Sequence, residues 1–402
     1  MSEYQPASRV TRIRESTSVL AAARVRELKA EGRSIIDLTV GEPDFDTPDH
    51  VKQAAIAAIE AGETKYTAVT GTPQLRAAIL GHIERRTGLG YSASEITIAG
   101  GAKQVIFTAL MASLNEGDEV IVPAPYWVSY PDMVLANDGT PVIVSCGDEV
   151  GFKLTPEALA AAITPATKWL ILNAPSNPTG VVYSRAELEA LAAVLEENPQ
   201  VFVLTDEIYD EIYFGEGQIT SLVAAAPQLR DRILVVNGVS KAYAMTGWRL
   251  GYAVGPAPLI ASINKLQSQI SSCPSSISQA AAAAALTGDQ SFVAECVEAY
   301  RERRDAAVAG LNAVEGLSCE TPQGAFYAYV KCQGAIGKTT PEGARIESDQ
   351  DFVLYLLDAA SVAVIPGSAY GLGPYFRISF ATSLETIKAG VEAIDKAVRA
   401  LS

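Results

Sequence analysis

Short apolar runs rich in β-branched residues alternate with helical segments through most of this 402-residue chain. Each run is bounded by turn residues, and Ala, Leu and Glu recur at helical spacing in several of the intervening segments. This alternation is typical of a mostly parallel sheet covered by helices on both faces. The predicted strands span residues 95–99, 119–122, 141–144, 167–172, 201–205 and 233–236. The predicted helices span residues 103–114, 156–163 and 185–196.

The pattern changes from about residue 289, which predicts a separate α+β domain. The chain exceeds the usual length for one hydrophobic core, so either a large domain with a smaller one or two comparable domains are expected. A charged insert at residues 337–348 is expected to be an exposed loop. The predicted elements of the second domain are helices at 292–311 and 349–360, strands at 325–330 and 375–380, and a final helix.

Composition excludes several classes of function. The net charge is −15, which disfavours nucleic acid or an anionic membrane as a partner. No apolar stretch reaches membrane-spanning length and the N-terminus has no apolar core segment, so a cytoplasmic protein is expected. The five cysteines form no CxxC pair, and the two histidines, His50 and His82, stand apart from other ligand types. No structural metal site is therefore expected.

One segment, NGVSKAYAMTGWRLG at residues 237–251, is the most informative for chemistry. It places Lys241 after a predicted buried strand, where an amine can form a Schiff base with an aldehyde. Ser240 and Arg249 can hold a phosphate nearby. Taken alone the pattern is weak, because an ordinary surface lysine in a turn would look the same.

Three further segments place polar groups at the ends of predicted strands. Asp206 follows the strand at 201–205, where a carboxylate can keep the pyridine nitrogen of a bound cofactor protonated. Tyr209 can direct a phenol at the ring of the same cofactor. Asn177, within NAPSNPTG, can donate to the ring's phenolic oxygen. The GGAKQ turn at 100–104 opens a helix whose N–H groups can bind phosphate. Each segment alone also fits a strand-end cap or a Pro/Gly turn.

In this order the segments resemble the class I aminotransferases of pyridoxal-phosphate fold type I, and specifically the prokaryotic aspartate aminotransferase subgroup Ib. The resemblance runs from about Arg9 to the C-terminus, and the conjunction of its motifs is very specific. The motifs are GEPDFDTP (41–48), KYTAVTGTPQLR (65–76), GGAKQ, PAPYWVSYP (123–131), NAPSNPTG (173–180), TDEIY (205–209), GVSKAYAMTGWRLGY (238–252) and FRISFATS (376–383).

The resemblance implies a fold, a reaction and a partner. The expected α/β architecture is a large domain at residues 48–290 with a mostly parallel seven-stranded sheet. Residues 1–47 and 291–402 would form a smaller α+β domain with an N-terminal arm. The expected assembly is a homodimer with shared active sites. The expected reaction uses pyridoxal 5′-phosphate to transfer the amino group of aspartate to 2-oxoglutarate, giving oxaloacetate and glutamate.

The resemblance also implies roles for individual residues around the cofactor. Lys241 would hold the cofactor aldehyde and transfer protons, and Asp206 would pair with the pyridinium. Asn177 and Tyr209 would contact the 3′ oxygen. Trp127 would stack on the ring, although an apolar core tryptophan is the alternative. The implied phosphate ligands are Gly101, Ala102, Ser240, Arg249 and, from the partner subunit, Tyr66.

Substrate recognition is implied by the same matches. Arg377 would bind the α-carboxylate, supported by the backbone of Gly41, with Trp127 and Asn177 beside the substrate. Lys103 is the candidate for the distal carboxylate, because residues 266–274, where Ser268 is the approximate equivalent position, contain no arginine. A solvent-facing Lys103 at the helix start is the alternative.

The N-terminal segment departs from the family pattern. The subgroup's KPSAT-like motif is replaced by RESTS at residues 14–18, where Ser16 and Ser18 are candidate substrate contacts. Glu15 stands in place of the proline and Ser18 in place of the threonine, which puts prephenate as a substrate in particular doubt. Two alternatives stay open: a related aminotransferase preferring aromatic amino acids, prephenate or another 2-oxo acid, and a non-catalytic regulator that has kept the fold.

Overall fold

The computed structural model describes residues 4–15 and 17–402, without the side chains of residues 17–19 and 22. Its strands and helices are numbered in chain order. The strands are β1 (Ile36–Asp37), β2 (Ile96–Ala99), β3 (Glu119–Ala124), β4 (Thr140–Ser145), β5 (Thr167–Asn173), β6 (Phe202–Asp206), β7 (Ile233–Gly238), β8 (Gly251–Val254), β9 (Ser318–Cys319), β10 (Tyr327–Lys331), β11 (Val362–Ala363), β12 (Ile365–Pro366) and β13 (Tyr375–Ser379). The helices are α1 (Ser8–Thr11), α2 (Thr17–Ala30), α3 (Asp49–Glu60), α4 (Pro73–Thr87), α5 (Ala102–Ser113), α6 (Ser129–Ala136), α7 (Pro156–Ala162), α8 (Arg185–Glu196), α9 (Leu222–Ala225), α10 (Ala257–Ile270), α11 (Ser276–Thr287), α12 (Ser291–Asn312), α13 (Asp349–Ala359) and α14 (Leu384–Arg399).

A seven-stranded sheet with the order β2-β8-β7-β6-β5-β3-β4 forms the centre of the molecule. Only β8 runs against its neighbours, so the sheet is mostly parallel, as the alternating pattern predicts. Every predicted strand of this region is confirmed to within two residues at each end. Strand β8 was not predicted; it has four residues, follows a long irregular loop and begins at a glycine.

Helices cover both faces of the sheet and bury a separate apolar cluster on each face. On one face the cluster includes Leu75 of α4, Leu188 of α8 and Ala281 of α11. On the other it includes Val105 of α5 and Ile260 of α10. Strands of this sheet are apolar on both sides because both sides are buried, which explains their continuous β-branched runs.

The C-terminal region packs α12, α13 and α14 with an antiparallel sheet in the order β12-β13-β10-β9. Each helix and strand predicted for this region is present. The short N-terminal strand β1 joins it through parallel pairing with β11. The insert at 337–348 is only partly exposed, as Ile346 is buried and an isolated bridge joins Thr339 to Arg345.

Strand register brings the chemically informative residues to one edge of the central sheet. Asn173 pairs with Asp206 at the carboxyl ends of β5 and β6, and Gly238 at the end of β7 pairs with Gly251. Gly251 also pairs with Ala99, which precedes the GGAKQ turn. Ligands bind in α/β sheets outside the carboxyl ends of the strands, so this edge is the expected place for a site. In the part of the chain that the structure describes, no helix has the length and apolar character needed to cross a membrane.

Candidate active site

A cavity of about 530 Å³ opens at this edge, between the central sheet and the C-terminal region. Side chains from both regions line it, together with the loop after β1. Among its lining residues are most of the predicted ones: Gly41, Ala102, Lys103, Trp127, Asn177, Asp206, Tyr209, Ser240, Lys241, Arg249 and Arg377. Residues from distant parts of the chain thus meet around one volume large enough for a small-molecule ligand.

Of the remaining predicted site residues, Gly101 and Tyr66 are described and do not line the cavity. Gly101 does not line the cavity but lies against the Arg249 guanidinium, where an added Cβ would clash with a terminal nitrogen. Tyr66 is 89% exposed and does not line the cavity. Ser16 falls outside the described residues, as does the side chain of Ser18, so their predicted substrate contacts stay predictions.

The Lys241 amine points into the cavity from the loop after β7. Its Nζ donates to the carbonyl oxygen of Gly41 at 2.5 Å. Burial lowers the pKa of Lys241 to about 8; Glu42 opposes that shift, whereas Arg377 and Arg249 add to it. An amine with this pKa is largely cationic at neutral pH, but its uncharged nucleophilic form is far more populated than that of a surface lysine.

The Asp206 carboxyl is buried at the end of β6. It accepts a hydrogen bond from the Tyr130 hydroxyl at 2.7 Å and one from the Ile208 backbone N–H at 3.3 Å. Burial nevertheless raises the pKa of Asp206 to about 6, against the opposing effect of those donors and of Lys241. A buried carboxyl of this kind is held ionised when a cation is placed beside it.

The N-terminus of α5 and the Arg249 guanidinium form a cationic corner of the cavity. The first N–H groups of α5, at Ala102 and Lys103, have no partner within the helix and favour an anion. Arg249 is fixed in place by donating to the carbonyl oxygens of Thr246 at 2.8 Å and Gly100 at 3.4 Å. Gly251 lets strand β8 lie close to the start of α5, since a Cβ added at Gly251 would clash with the Ala102 nitrogen. The corner therefore suits a phosphate group.

The Arg377 guanidinium is buried and also lines the cavity. It donates to the Asn177 side-chain oxygen at 3.0 Å and to the Thr39 carbonyl oxygen at 2.6 Å. Its Nε has no hydrogen-bond partner among the described residues. Tyr327 and Tyr370 place their rings 4.3 and 5.3 Å from the guanidinium carbon. An arginine this buried, with donor capacity left over, is suited to a carboxylate.

Lys103 and Trp127 lie together at the cavity wall. The Lys103 Nζ is 4.8 Å from the centroid of the Trp127 ring. Partial burial, and then the nearby Arg249 cation, lowers the pKa of Lys103. Lys103 has no ion pair within residues 4–15 and 17–402, so its charge is free for a ligand. This placement disfavours the alternative in which Lys103 simply faces solvent.

Several lining residues were not found from the sequence. Tyr130 bonds Asp206 from α6, Tyr327 bonds Tyr209 at 2.7 Å, and Glu42 accepts from the Thr246 hydroxyl at 2.9 Å. Tyr130 and Glu42 lie inside the motifs PAPYWVSYP and GEPDFDTP, but their partners are distant in the chain. No local signal therefore identifies the contacts.

Comparison with known proteins places this fold and cavity in a defined class. The family of class I and II aminotransferases matches residues 33–394, and the chain belongs to that family. It is 53% identical over 399 residues to an aspartate aminotransferase of Rhizobium meliloti, covering 99% of this chain and 97% of the relative. It is 52% identical to an aspartate/prephenate aminotransferase of Cereibacter sphaeroides over 379 residues, or 94% and 95% of the two chains.

Solved structures agree with these relatives. The crystal structure of a Rhizobium meliloti aspartate aminotransferase matches with a TM-score of 0.97 at 52% identity, covering all of both chains. A Thermus thermophilus aspartate aminotransferase with maleate matches with a TM-score of 0.91 at 39% identity, over 98% of this chain and 100% of that one. The protein is thus an aminotransferase with the fold that the sequence motifs predict.

Proposed function

We propose that this aminotransferase uses pyridoxal 5′-phosphate to transfer the amino group of aspartate to 2-oxoglutarate, giving oxaloacetate and glutamate. One observation carries the proposal: the Lys241 amine and the Asp206 carboxyl, 35 residues apart in the sequence, line one cavity with a cationic corner and a separate buried arginine. The names of the relatives, aspartate aminotransferases in two bacteria, support the choice of substrate.

The residues present fit the cofactor. Lys241 would bind its aldehyde, Asp206 its ring nitrogen, and Asn177 and Tyr209 its 3′ oxygen, while Trp127 would cover one ring face. Ala102 and Arg249 belong to the corner that suits its phosphate, Ser240 lines the same cavity and would join them, and Gly101 would contribute from the start of α5. When bound, the cofactor supplies a conjugated ring that accepts the electron pair released at the substrate's α-carbon.

Lys241 would be the base in this reaction. Its amine, with a pKa of about 8, can take a proton from the substrate α-carbon and return it during the amino transfer. Asp206 would keep a proton on the ring nitrogen, because a buried carboxylate next to a cation retains its charge. The bond between Tyr130 and Asp206 fixes the carboxyl in position for that task.

Arg377 would orient the substrate by its α-carboxylate, with the Gly41 backbone on the same side. The Nε, which has no hydrogen-bond partner among the described residues, and the tyrosine rings beside it leave the guanidinium positioned but not neutralised. Lys103 would meet the second carboxylate of a dicarboxylic substrate. Both charges then favour aspartate and glutamate over substrates that carry one carboxylate.

Replacing Lys103 with serine tests that specificity. We expect kcat/KM for aspartate to fall about 10- to 100-fold, the range that removing a charged hydrogen bond produces. The value for phenylalanine should change less than about threefold, since that side chain has no distal charge. Steady-state rates for both donors provide the measurement. Lys265→Ser, on an exposed part of α10, is the matched control. Equal losses for the two donors would contradict the role of Lys103.

We also propose the domain and subunit organisation that the family implies. The large domain would span residues 48–290, and residues 1–47 with 291–402 would form the small domain. In a homodimer, the exposed Tyr66 of each subunit would reach the phosphate of the other site. A residue that contributes to the site of a partner subunit is expected to be exposed in the single subunit, and Tyr66 is 89% exposed.

Half-reaction spectroscopy tests the proposed reaction. The cofactor-loaded protein is mixed with each amino acid in the absence of a 2-oxo acid, and the absorbance of the bound cofactor is followed. We expect aspartate and glutamate to convert the spectrum to that of the amine form, and 2-oxoglutarate to restore it. Conversion by phenylalanine at a rate equal to or above that of aspartate would contradict the proposed substrate.

A further inference from the structure

Tyr327 lies in the cavity between Tyr209 and Arg377. It begins β10 in the C-terminal region and is 1% exposed, yet it lines the cavity. Its hydroxyl is 2.7 Å from the hydroxyl of Tyr209, and its ring lies 4.3 Å from the Arg377 guanidinium carbon. One side chain thus contacts both the phenol proposed for the cofactor and the cation proposed for the substrate.

We propose that Tyr327 is a positioning residue that acts through Tyr209, donating a hydrogen bond to its hydroxyl and thereby strengthening the bond from Tyr209 to the cofactor's 3′ oxygen. The inference rests on the proposed function and adds a residue to it. Tyr327 itself would not touch the cofactor oxygen.

Hydrogen-bond chemistry fixes the direction of donation. In the protein alone, either hydroxyl can donate to the other. A phenol has one proton, so once Tyr209 directs its proton at the 3′ oxygen, only its lone pairs remain for Tyr327. Tyr327 must then be the donor. Hydrogen bonds in such a chain polarise one another, so each becomes stronger.

The surroundings hold the Tyr327 hydroxyl in place. Burial raises the pKa of Tyr327, so the phenol keeps the proton it has to donate. Gly41 packs against the hydroxyl, and a Cβ built on Gly41 would lie 3.1 Å from the phenol oxygen. The glycine that supplies a carbonyl to Lys241 thereby also leaves room for this hydroxyl.

Tyr327→Phe isolates the proposed effect, because it removes the hydroxyl and keeps the ring beside Arg377. The readout is the pH at which the absorbance of the bound cofactor changes in the intact holoenzyme. A weaker bond from Tyr209 leaves more negative charge on the 3′ oxygen, which retains the proton on the neighbouring Lys241 nitrogen to higher pH. We expect the midpoint to rise by about half a pH unit, a fraction of one neutral hydrogen bond.

Affinity for succinate separates this role from damage to the carboxylate site. We expect Tyr327→Phe to change the succinate dissociation constant less than about twofold, since the ring over the guanidinium remains. Tyr355→Phe is the matched control, as it also removes one buried phenol, whose hydroxyl donates to the Ala397 carbonyl oxygen at 2.8 Å. That control should leave the optical midpoint at the wild-type value.

Two further variants keep the test decisive. In a Tyr209→Phe background, Tyr327→Phe should shift the midpoint no further, because its route of action is gone. Gly41→Ala should push the phenol aside and raise the midpoint in the same direction as Tyr327→Phe. An unchanged midpoint in Tyr327→Phe, or the same shift from Tyr327→Phe with and without Tyr209, would overturn the inference. A wild-type protein that shows no cofactor absorbance would instead overturn the proposed function.

Discussion

Lys241→Ala should reduce transamination at least about 10⁴-fold, because it removes both the nucleophile and the proton-transfer group. The amine points into the cavity with a lowered pKa, which suits both tasks. The variant should also lose the visible absorbance that distinguishes covalently bound cofactor from free cofactor. Steady-state rates with aspartate and 2-oxoglutarate, together with an absorption spectrum after gel filtration, measure the two effects.

Lys388→Ala, on the exposed side of α14, is the control for losing a lysine at a distance from the cavity. It should keep wild-type rate and absorbance. A small amine added to Lys241→Ala should restore part of the rate, since the missing group is itself an amine. Retention of more than about a tenth of wild-type activity without added amine would contradict the assignment of Lys241.

Asp206→Asn is expected to have the second largest effect on catalysis. An amide cannot hold the ring nitrogen protonated, so the electron-accepting capacity of the cofactor should fall. Breaking a buried charge pair costs about 3–5 kcal/mol, which corresponds to roughly 10²- to 4 × 10³-fold in rate or cofactor affinity. Titration of the protein with pyridoxal phosphate and the rate of the aspartate half-reaction separate the two contributions.

The same substitution should stabilise the protein when no cofactor is bound. Burial raises the folded-state pKa of Asp206 to about 6, from an ordinary value of 3.8. A raised carboxyl pKa means that ionisation is unfavourable in the folded state, so this group lowers stability as the pH rises from about 4 to 6 and stays unfavourable above that. At pH 7 Asp206→Asn should therefore gain about 1–3 kcal/mol, and at pH 4 little.

Glu207→Gln is the matched control for Asp206→Asn, which is expected to raise the stability of the cofactor-free protein and to lower catalysis. Glu207 is also buried, and burial raises its pKa to about 7, but it does not line the cavity. We expect it to stabilise the cofactor-free protein at about pH 8 while leaving cofactor affinity at the wild-type value. Thermal unfolding at several pH values is the measurement. An equal loss of cofactor affinity in Asp206→Asn and Glu207→Gln would contradict the proposed contact between Asp206 and the ring nitrogen of the cofactor.

The sequence predicts the sheet and the residues at its strand ends well, because both depend on local signals. Asp206 and Lys241 follow apolar runs closely, and parallel strands bring their carboxyl ends to one edge. Strand β8 was missed because its four residues carry too little periodicity, and its antiparallel direction is set by pairing with β2 and β7.

Contacts between residues far apart in the sequence could not be predicted from the sequence. Tyr130 bonds a residue 76 positions away, and the two phenols of Tyr209 and Tyr327 are 118 positions apart. Their partners depend on how the chain packs around the end of the sheet, which no single segment encodes. The same holds for the Arg377 Nε, which has no hydrogen-bond partner in the described part of the chain. Its availability for a carboxylate becomes clear only when the partners of the other Arg377 donors are known.

Reductive trapping of the cofactor tests the central claim most directly. The cofactor-loaded protein is treated with borohydride, which makes the bond between the cofactor and its lysine permanent, and is then digested and mapped by mass spectrometry. We expect the added mass on the peptide that contains Lys241 and on no other lysine peptide. A modification located on Lys103 or another lysine, with Lys241 unmodified, would contradict the proposed role of Lys241.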